Sequence, residues 1–364
     1  MVMRRKGRKT RDLNILRWHL ATELPDIAPS SRSNKVINQG AQLPYNTLPD
    51  MASSTGASAN GSSRRVLCGF GVDVDAVSGW LGSYGGEDSP NDITRGMHAG
   101  EVGVPRLLKL FKKHNMTTTW FIPGHSLETF PKEMAAVRDA GHEIGLHGYS
   151  HENPREMTIE QQRDVLAKTH KLLTDFCGKP PRGSVAPWWE TSAEGTNLLL
   201  DWGIEYDHSS QAHDSQMFYL RDEDHWTKID YTQKAETWMK PLVRGNETGL
   251  VEIPANWYLD DLPPMMFIKD APNSHGWVPT KEVEQIWKDT FTYCYENEGN
   301  FVFPITIHPD VSGRPHVLLM LDRFINWVNT HEGVQWVTMA EMNDIFRAEN
   351  PLPEGARPPK KMTA

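Results

Sequence analysis

The chain has 364 residues, a formal net charge of −9, 38% hydrophobic and 23% charged residues, so it can bury a large core and is too acidic to track a phosphate backbone. Its one basic run, Arg4 to Arg11, is short and reads as a solvated tail, which leaves no nucleic-acid footprint. Three scattered cysteines, Cys68, Cys177 and Cys294, suit neither a disulfide framework nor a thiolate metal site and read as small apolar residues.

Residues 1–64 end in a Ser-, Gly- and Ala-rich stretch, Ser53 to Ser63, that buries too little apolar surface to offset its ordering entropy, and an N-terminal arm or linker is expected there. Met1 to Leu20 mixes Arg, Lys, Asp, Asn and His where a secretory leader needs an apolar run, and no segment approaches about 18 apolar residues in succession. A cytoplasmic protein with no membrane partner is expected.

From Arg65 short apolar runs alternate with amphipathic segments, the pattern of strand-helix units around a mostly parallel sheet or barrel, extending over 65–350. A strand over Arg65 to Gly71 precedes a helix over Val104 to His114 with Leu107, Leu108, Leu110 and Phe111 on one face. A strand over Thr117 to Phe121, a helix over Pro131 to Ala140 and a strand over Glu143 to Leu146 follow. The helix from Thr158 to Phe176 opens on a capping box formed by Thr158 and Gln161. A loop at Gly183 to Glu190, a helix over Ser192 to Trp202 and a strand over Ile204 to Asp207 lead into Ser209 to Glu247, which lacks a clear period and is expected to cover another part of the molecule. Strands return at Leu250 to Ile253 and Phe301 to Ile307 around a helix over Thr280 to Glu296. A helix over Val317 to Asn329, a strand over Gln335 to Val337, a helix over Met339 to Arg347 and a Pro-rich tail at 351–364 close the chain.

In such folds the loops at the carboxyl ends of the strands converge on one face, so polar residues at strand ends carry the chemistry. Asp73 and Asp75 follow the first strand, and their spacing directs two carboxylates to one side, where they repel unless a cation lies between them or one is protonated. Alone, the pair fits a helix cap or solvated turn as well. His147 and His151, four apart, face one way on a helical turn and offer two imidazoles to one ion, although 15 His produce about 0.6 such pairs by chance. Together the two pairs suit zinc, or nickel, cobalt or manganese, with room left for water and substrate. His308 ends the strand Phe301 to Ile307; it is either a satisfied structural histidine or a general acid facing the metal. Pro187, Trp188, Trp189, Trp257 and Tyr258 belong to aromatic loops that suit a sugar ring or flat heterocycle, core packing being the alternative. Asp260 or Asp261 either orients a catalytic neighbour or is a surface carboxylate.

From about Val66 to Phe346 these segments resemble the polysaccharide deacetylase family, the NodB homology, carbohydrate esterase 4-like group. By resemblance Asp73 is the catalytic base, Asp75, His147 and His151 hold the metal, and His308 is the catalytic acid. The family's orienting Arg is replaced by Val185. Val185-Ala186-Pro187-Trp188-Trp189 and Asn256-Trp257-Tyr258-Leu259-Asp260-Asp261 look like the branch of the Helicobacter peptidoglycan deacetylase, cyclic imide hydrolases and allantoinase-like proteins. This likeness implies a distorted (β/α) barrel with about seven strands, assembled as a homotetramer. The expected function is metal-dependent hydrolysis of a non-peptide carbon-nitrogen bond, removing acetyl from an N-acetylated amino sugar polymer. The alternatives are a small cyclic imide or ureide as substrate, or a glycan-binding protein without turnover.

Overall fold

A computed structural model describes residues 64–87, 89–269 and 276–362. The arm expected over 1–64, with its basic run and Ser-rich stretch, lies outside the described residues except for Arg64.

Among the described residues nine strands form one sheet: β1 Val66–Asp73, β2 Thr119–Ile122, β3 Glu143–Leu146, β4 Gly183–Ser184, β5 Tyr206–Asp207, β6 Phe218–Asp222, β7 Asn246–Glu252, β8 Phe301–Ile307 and β9 Val334–Trp336. Eight follow the order β6-β7-β5-β4-β3-β2-β1-β8, parallel except for β6, which runs antiparallel along β7. The seven parallel strands on this path agree with the expected number. β8 flanks β1 from Val66 to Val72, while β9 pairs with Val66 to Cys68 and β2 with Gly71 to Asp73. β1 therefore has strands on both sides at Val66–Cys68 and at Gly71–Val72, which suits its largely apolar, fully buried sequence. Beyond β7 the chain crosses toward β8, where Asp260 bridges Thr306 and the Asp261 N–H donates to the Thr306 carbonyl at 3.3 Å, so the curled sheet draws its two ends together.

Side chains alternate between two cores. Phe70, Val72, Trp120, Ile122, Ile305 and Ile307 face outward under the helices, with Phe111, Trp287 and Phe324 packed over them. Leu67, Phe121, Tyr206, Val251 and Val302 face inward, where Met339, Met342 and Phe346 of the helix Met339–Glu349 fill the closed end. Gly69 and Gly71 take the inward positions between: a Cβ there would stand 2.7 Å from Met342 Cε and 2.9 Å from Met339 Cε, respectively. The same period of two carries Asp73, His147 and His308 to the inner face at the open end.

The helices expected after β1, β2, β3 and β8 are present, and the capping box of Thr158 and Gln161 is formed. Among the described residues five short α-helices were not foreseen: Ala76–Gly82, Pro90–His98, Gly124–Thr129, Leu262–Met265 and Pro309–Ser312. The first holds two glycines and a serine in seven residues, so tertiary contact rather than propensity maintains it. Ser209 to Glu247 contains β6 on the sheet edge. The Pro-rich tail packs back on the barrel: Arg357 O accepts from Gly249 N at 2.8 Å, and Lys360 N donates to Leu200 O at 2.8 Å. Among the described residues no helix is long and apolar enough to cross a membrane.

Candidate metal centre and catalytic cavity

A cavity of about 310 Å³ opens at the carboxyl ends of the parallel strands, lined by Asp73, Asp75, Tyr84, His147, His151, Trp188, Trp189, Trp257, Asp260 and His308, among others. Asp73 ends β1. Asp75 turns into the helix Ala76–Gly82 with φ −61° and ψ −53°, and Ala76 follows in the left-handed region at φ +48°. Asp310 holds that turn, its Oδ2 accepting from the Ala76 N–H at 3.2 Å.

His147 and His151 meet differently from the expected helical turn. His147 continues the inner face of β3, and the chain then reverses through Gly148 at φ +63° and His151 at φ +60°, leaving the two rings 4.9 Å apart. The reversal is pinned from both sides: the Gly148 and Tyr149 carbonyls accept from Gly124 N and His125 N at 3.1 and 2.9 Å, and the Glu152 carboxylate accepts from Tyr149 N and Ser150 N at 3.0 and 2.8 Å.

Both rings present Nε2 to the cavity. His147 Nδ1 lies 2.8 Å from Val185 O, which can only accept, so Nδ1 carries the proton and Nε2 keeps its lone pair. The Ser83 hydroxyl donates to His151 O at 2.8 Å, so its oxygen accepts from His151 Nδ1 at 2.6 Å, again freeing Nε2. Asp75 Oδ1 lies 3.1 Å from His147 Nε2, and Asp75 Oδ2 lies 3.3 Å from His151 Nε2. Tetrahedral bonds of about 2.0–2.2 Å place neighbouring donors roughly 3.3 Å apart; Asp75 Oδ1 and His147 Nε2 already stand at that spacing, and the set fits a first-row divalent ion. One donor atom from each of the three lies within 4.8 Å of the others, and all three residues are buried.

Electrostatics express the same geometry. Burial opposes the charge on Asp75, but His151 and His147 outweigh it and hold the carboxyl below its ordinary range. Burial disfavours a charged His147, but Asp73 and Asp75 prevail and raise its pKa, whereas burial dominates at His151 and lowers it to about 3.

Asp73 lies between the two sides of the cavity, Oδ2 being 3.8 Å from His147 Nε2 and 3.9 Å from His308 Nε2. Its Oδ1 is buried without a hydrogen-bond partner among the described residues, and burial raises the carboxyl to about 6. Among the described residues no Arg supports it; Val185, where the resemblance would place an Arg, turns its side chain into the inner core and its carbonyl to His147.

His308 follows β8 with Nε2 toward Asp73 and Asp75. Its Nδ1 lies 2.7 Å from Asp261 Oδ1, and its own N–H donates to both Asp261 oxygens at 3.1 Å. Ser312 adds a hydroxyl to Asp261 Oδ2 at 2.5 Å. Asp260 stands further off at 3.5 Å, its carboxyl pushed up to about 8 by burial. Burial opposes the charge on His308, but Asp260 and the hydrogen-bonded Asp261 outweigh it and raise its pKa well above the ordinary value. Both Asp260 and Asp261 are buried, which removes the surface reading of either.

Trp188, Trp189 and Trp257 wall the cavity, with the Trp189 and Trp257 ring centroids 4.5 Å apart. Trp188 and Trp189 adopt φ +57° and +50°, strained for bulky residues, and the turn aims both indoles at the mouth. Pro187 lies behind, against Gly148 and a neighbouring cavity of about 660 Å³. Tyr258 is 75% exposed and off the cavity lining. Ser83 and Tyr84 were not anticipated; the glycine-flanked run Gly82 to Gly86 signals a tight turn but no chemistry.

The family model described as polysaccharide deacetylase matches residues 92–206. The Helicobacter pylori peptidoglycan deacetylase is 58% identical over 79% of this chain and 98% of the relative. A peptidoglycan deacetylase-like protein of Gibberella zeae is 40% identical over 80% of this chain and 89% of its own length. Among solved structures, a Mycobacterium smegmatis protein named after the polysaccharide deacetylases superposes with a TM-score of 0.68 at 25% identity, covering 84% of this chain and 96% of that one.

Proposed function

The chain belongs to the polysaccharide deacetylase family, and on that footing we propose that it is a metal-dependent hydrolase that removes acetyl groups from an N-acetylated amino sugar polymer of peptidoglycan or chitin type. One observation carries this reading: two buried histidines aim bare Nε2 atoms at Asp75, while Asp73 and His308 flank the same point from the other side.

Asp75, His147 and His151 are the proposed ligands, and the two-imidazole, one-carboxylate set favours zinc, with nickel, cobalt or manganese also compatible. A divalent ion bound there polarises an amide carbonyl and lowers the pKa of a water in an open position. Asp73, through its free Oδ1, takes the proton from the attacking water. His308, kept as an imidazolium by Asp261, donates from Nε2 to the departing amine nitrogen. Trp188, Trp189 and Trp257 are the proposed walls for the sugar ring. Residues 65–350 are proposed as the catalytic unit, and the homo-oligomer, a tetramer by resemblance, is supported by the apolar segment carrying Trp226, Ile229, Tyr231, Met239, Leu242 and Val243, all more than half exposed.

The cavity's modest volume and tryptophan walls also support a small cyclic imide or ureide as substrate. Glycan binding without turnover is disfavoured, because it leaves Asp73 and His308 without a task. Zinc-loaded protein incubated separately with acetylated chitooligomers, peptidoglycan fragments, succinimide and hydantoin distinguishes these readings. Acetate release from the glycans is the expected result; ring opening alone overturns the deacetylase assignment.

A further inference from the structure

The helix Ala76–Gly82 and the two residues after it bring further polar groups to the proposed metal centre. Tyr84 is 2% exposed, lines the catalytic cavity and donates its hydroxyl to Asp75 Oδ2. The adjacent Ser83 accepts from His151 Nδ1 and returns its own proton to His151 O. Consecutive side chains thus hold two of the three proposed ligands.

Two glycines make this approach possible. A Cβ on Gly79 would come within 2.4 Å of the Tyr84 ring, and a Cβ on Gly82 would lie 2.1 Å from Ser150 O and 2.4 Å from His151 O. Without them the turn could not close on the ligand loop. Trp80 packs edge-on to the Tyr84 ring at 5.2 Å and fixes its plane.

We propose that Ser83 and Tyr84 are positioning residues that set the affinity and coordination geometry of the metal centre, Ser83 by holding His151 in the tautomer with Nε2 bare and Tyr84 by occupying Asp75 Oδ2 so that the carboxylate binds through Oδ1 alone. The inference rests on the proposed ligand set. A carboxylate with one oxygen engaged by a phenol takes one coordination position; released, it chelates through both and raises the coordination number.

The test uses the full chain, freed of metal by a chelator and titrated with Zn²⁺ or Co²⁺ against a chromophoric competitor. Tyr84→Phe and Ser83→Ala are expected to weaken Zn²⁺ binding by about 10- to 100-fold each, and Ser83→Thr to restore it. With Co²⁺, Tyr84→Phe is expected to lower the intensity of the visible absorption as the geometry moves from four- toward five-coordinate, a change that general loss of packing does not produce. His147→Ala serves as the reference. If it loses the bound equivalent while Tyr84→Phe and Ser83→Ala keep wild-type affinity and spectrum, the metal centre stands and this inference is overturned. If His147→Ala binds as tightly as the wild type, the centre itself is misassigned and the inference falls with it.

Discussion

Two clusters of the same residue types lie across one cavity: Asp75 with His147 and His151, and Asp260 and Asp261 with His308. Each offers three donor atoms within 4.8 Å, and each is buried. Their difference lies in what each imidazole meets at its far nitrogen. His147 and His151 place Nδ1 against a carbonyl and a hydroxyl, neutral groups that fix the tautomer and favour a second proton less than a carboxylate does. His308 places Nδ1 against the Asp261 carboxylate, which favours the charged ring. The first arrangement suits a cation and the second a proton. Donor composition alone therefore does not identify a metal site; the partner behind each ring does.

The largest expected effects break the first cluster. Asp75→Ala is expected to abolish stoichiometric zinc binding, measured by elemental analysis of dialysed protein, and with it all detectable turnover; retained metal would reverse the assignment of the two clusters. His308→Ala should lower kcat by about 10² to 10⁴, the usual span of general acid catalysis, with the zinc dissociation constant unchanged. A finer test is the pH profile of kcat/KM. Asp73 must be deprotonated to act as base, and its carboxyl stands at about 6, so activity should fall as pH drops through that region or below it. His308 must keep its proton, and its pKa is held well above the ordinary value, so the alkaline limb should appear well above pH 6.5. Asp261→Asn removes the carboxylate at 2.7 Å and should move that limb to lower pH; an unmoved limb would assign it to another group.

Much of this was legible because alternation along a strand is strict. Asp73 shares inward parity with Leu67 and His308 with Val302, while His147 alternates with the outward Ile144 and Leu146, so recognising β1, β3 and β8 places all three on one face. The four-residue histidine spacing misled locally, since it matches a helical turn and the observed geometry depends on left-handed backbone at Gly148 and His151, which spacing does not encode. Ser83 and Tyr84 were hidden for another reason. They follow directly on a short helix of weak intrinsic propensity, maintained by contact with distant parts of the chain. β6 escaped notice because an edge strand needs only one apolar face, and its pattern of one buried residue among half-buried ones is faint.

The twin left-handed tryptophans at the mouth have a thermodynamic consequence. Holding a non-glycine residue in that region costs on the order of 1 to 3 kcal/mol, and here folding has already met the cost at Trp188 and Trp189. An incoming ring therefore finds its stacking surface rigid beforehand, so docking orders little further backbone and forfeits little freedom. Selectivity at this entrance should follow ligand shape rather than loop adaptability.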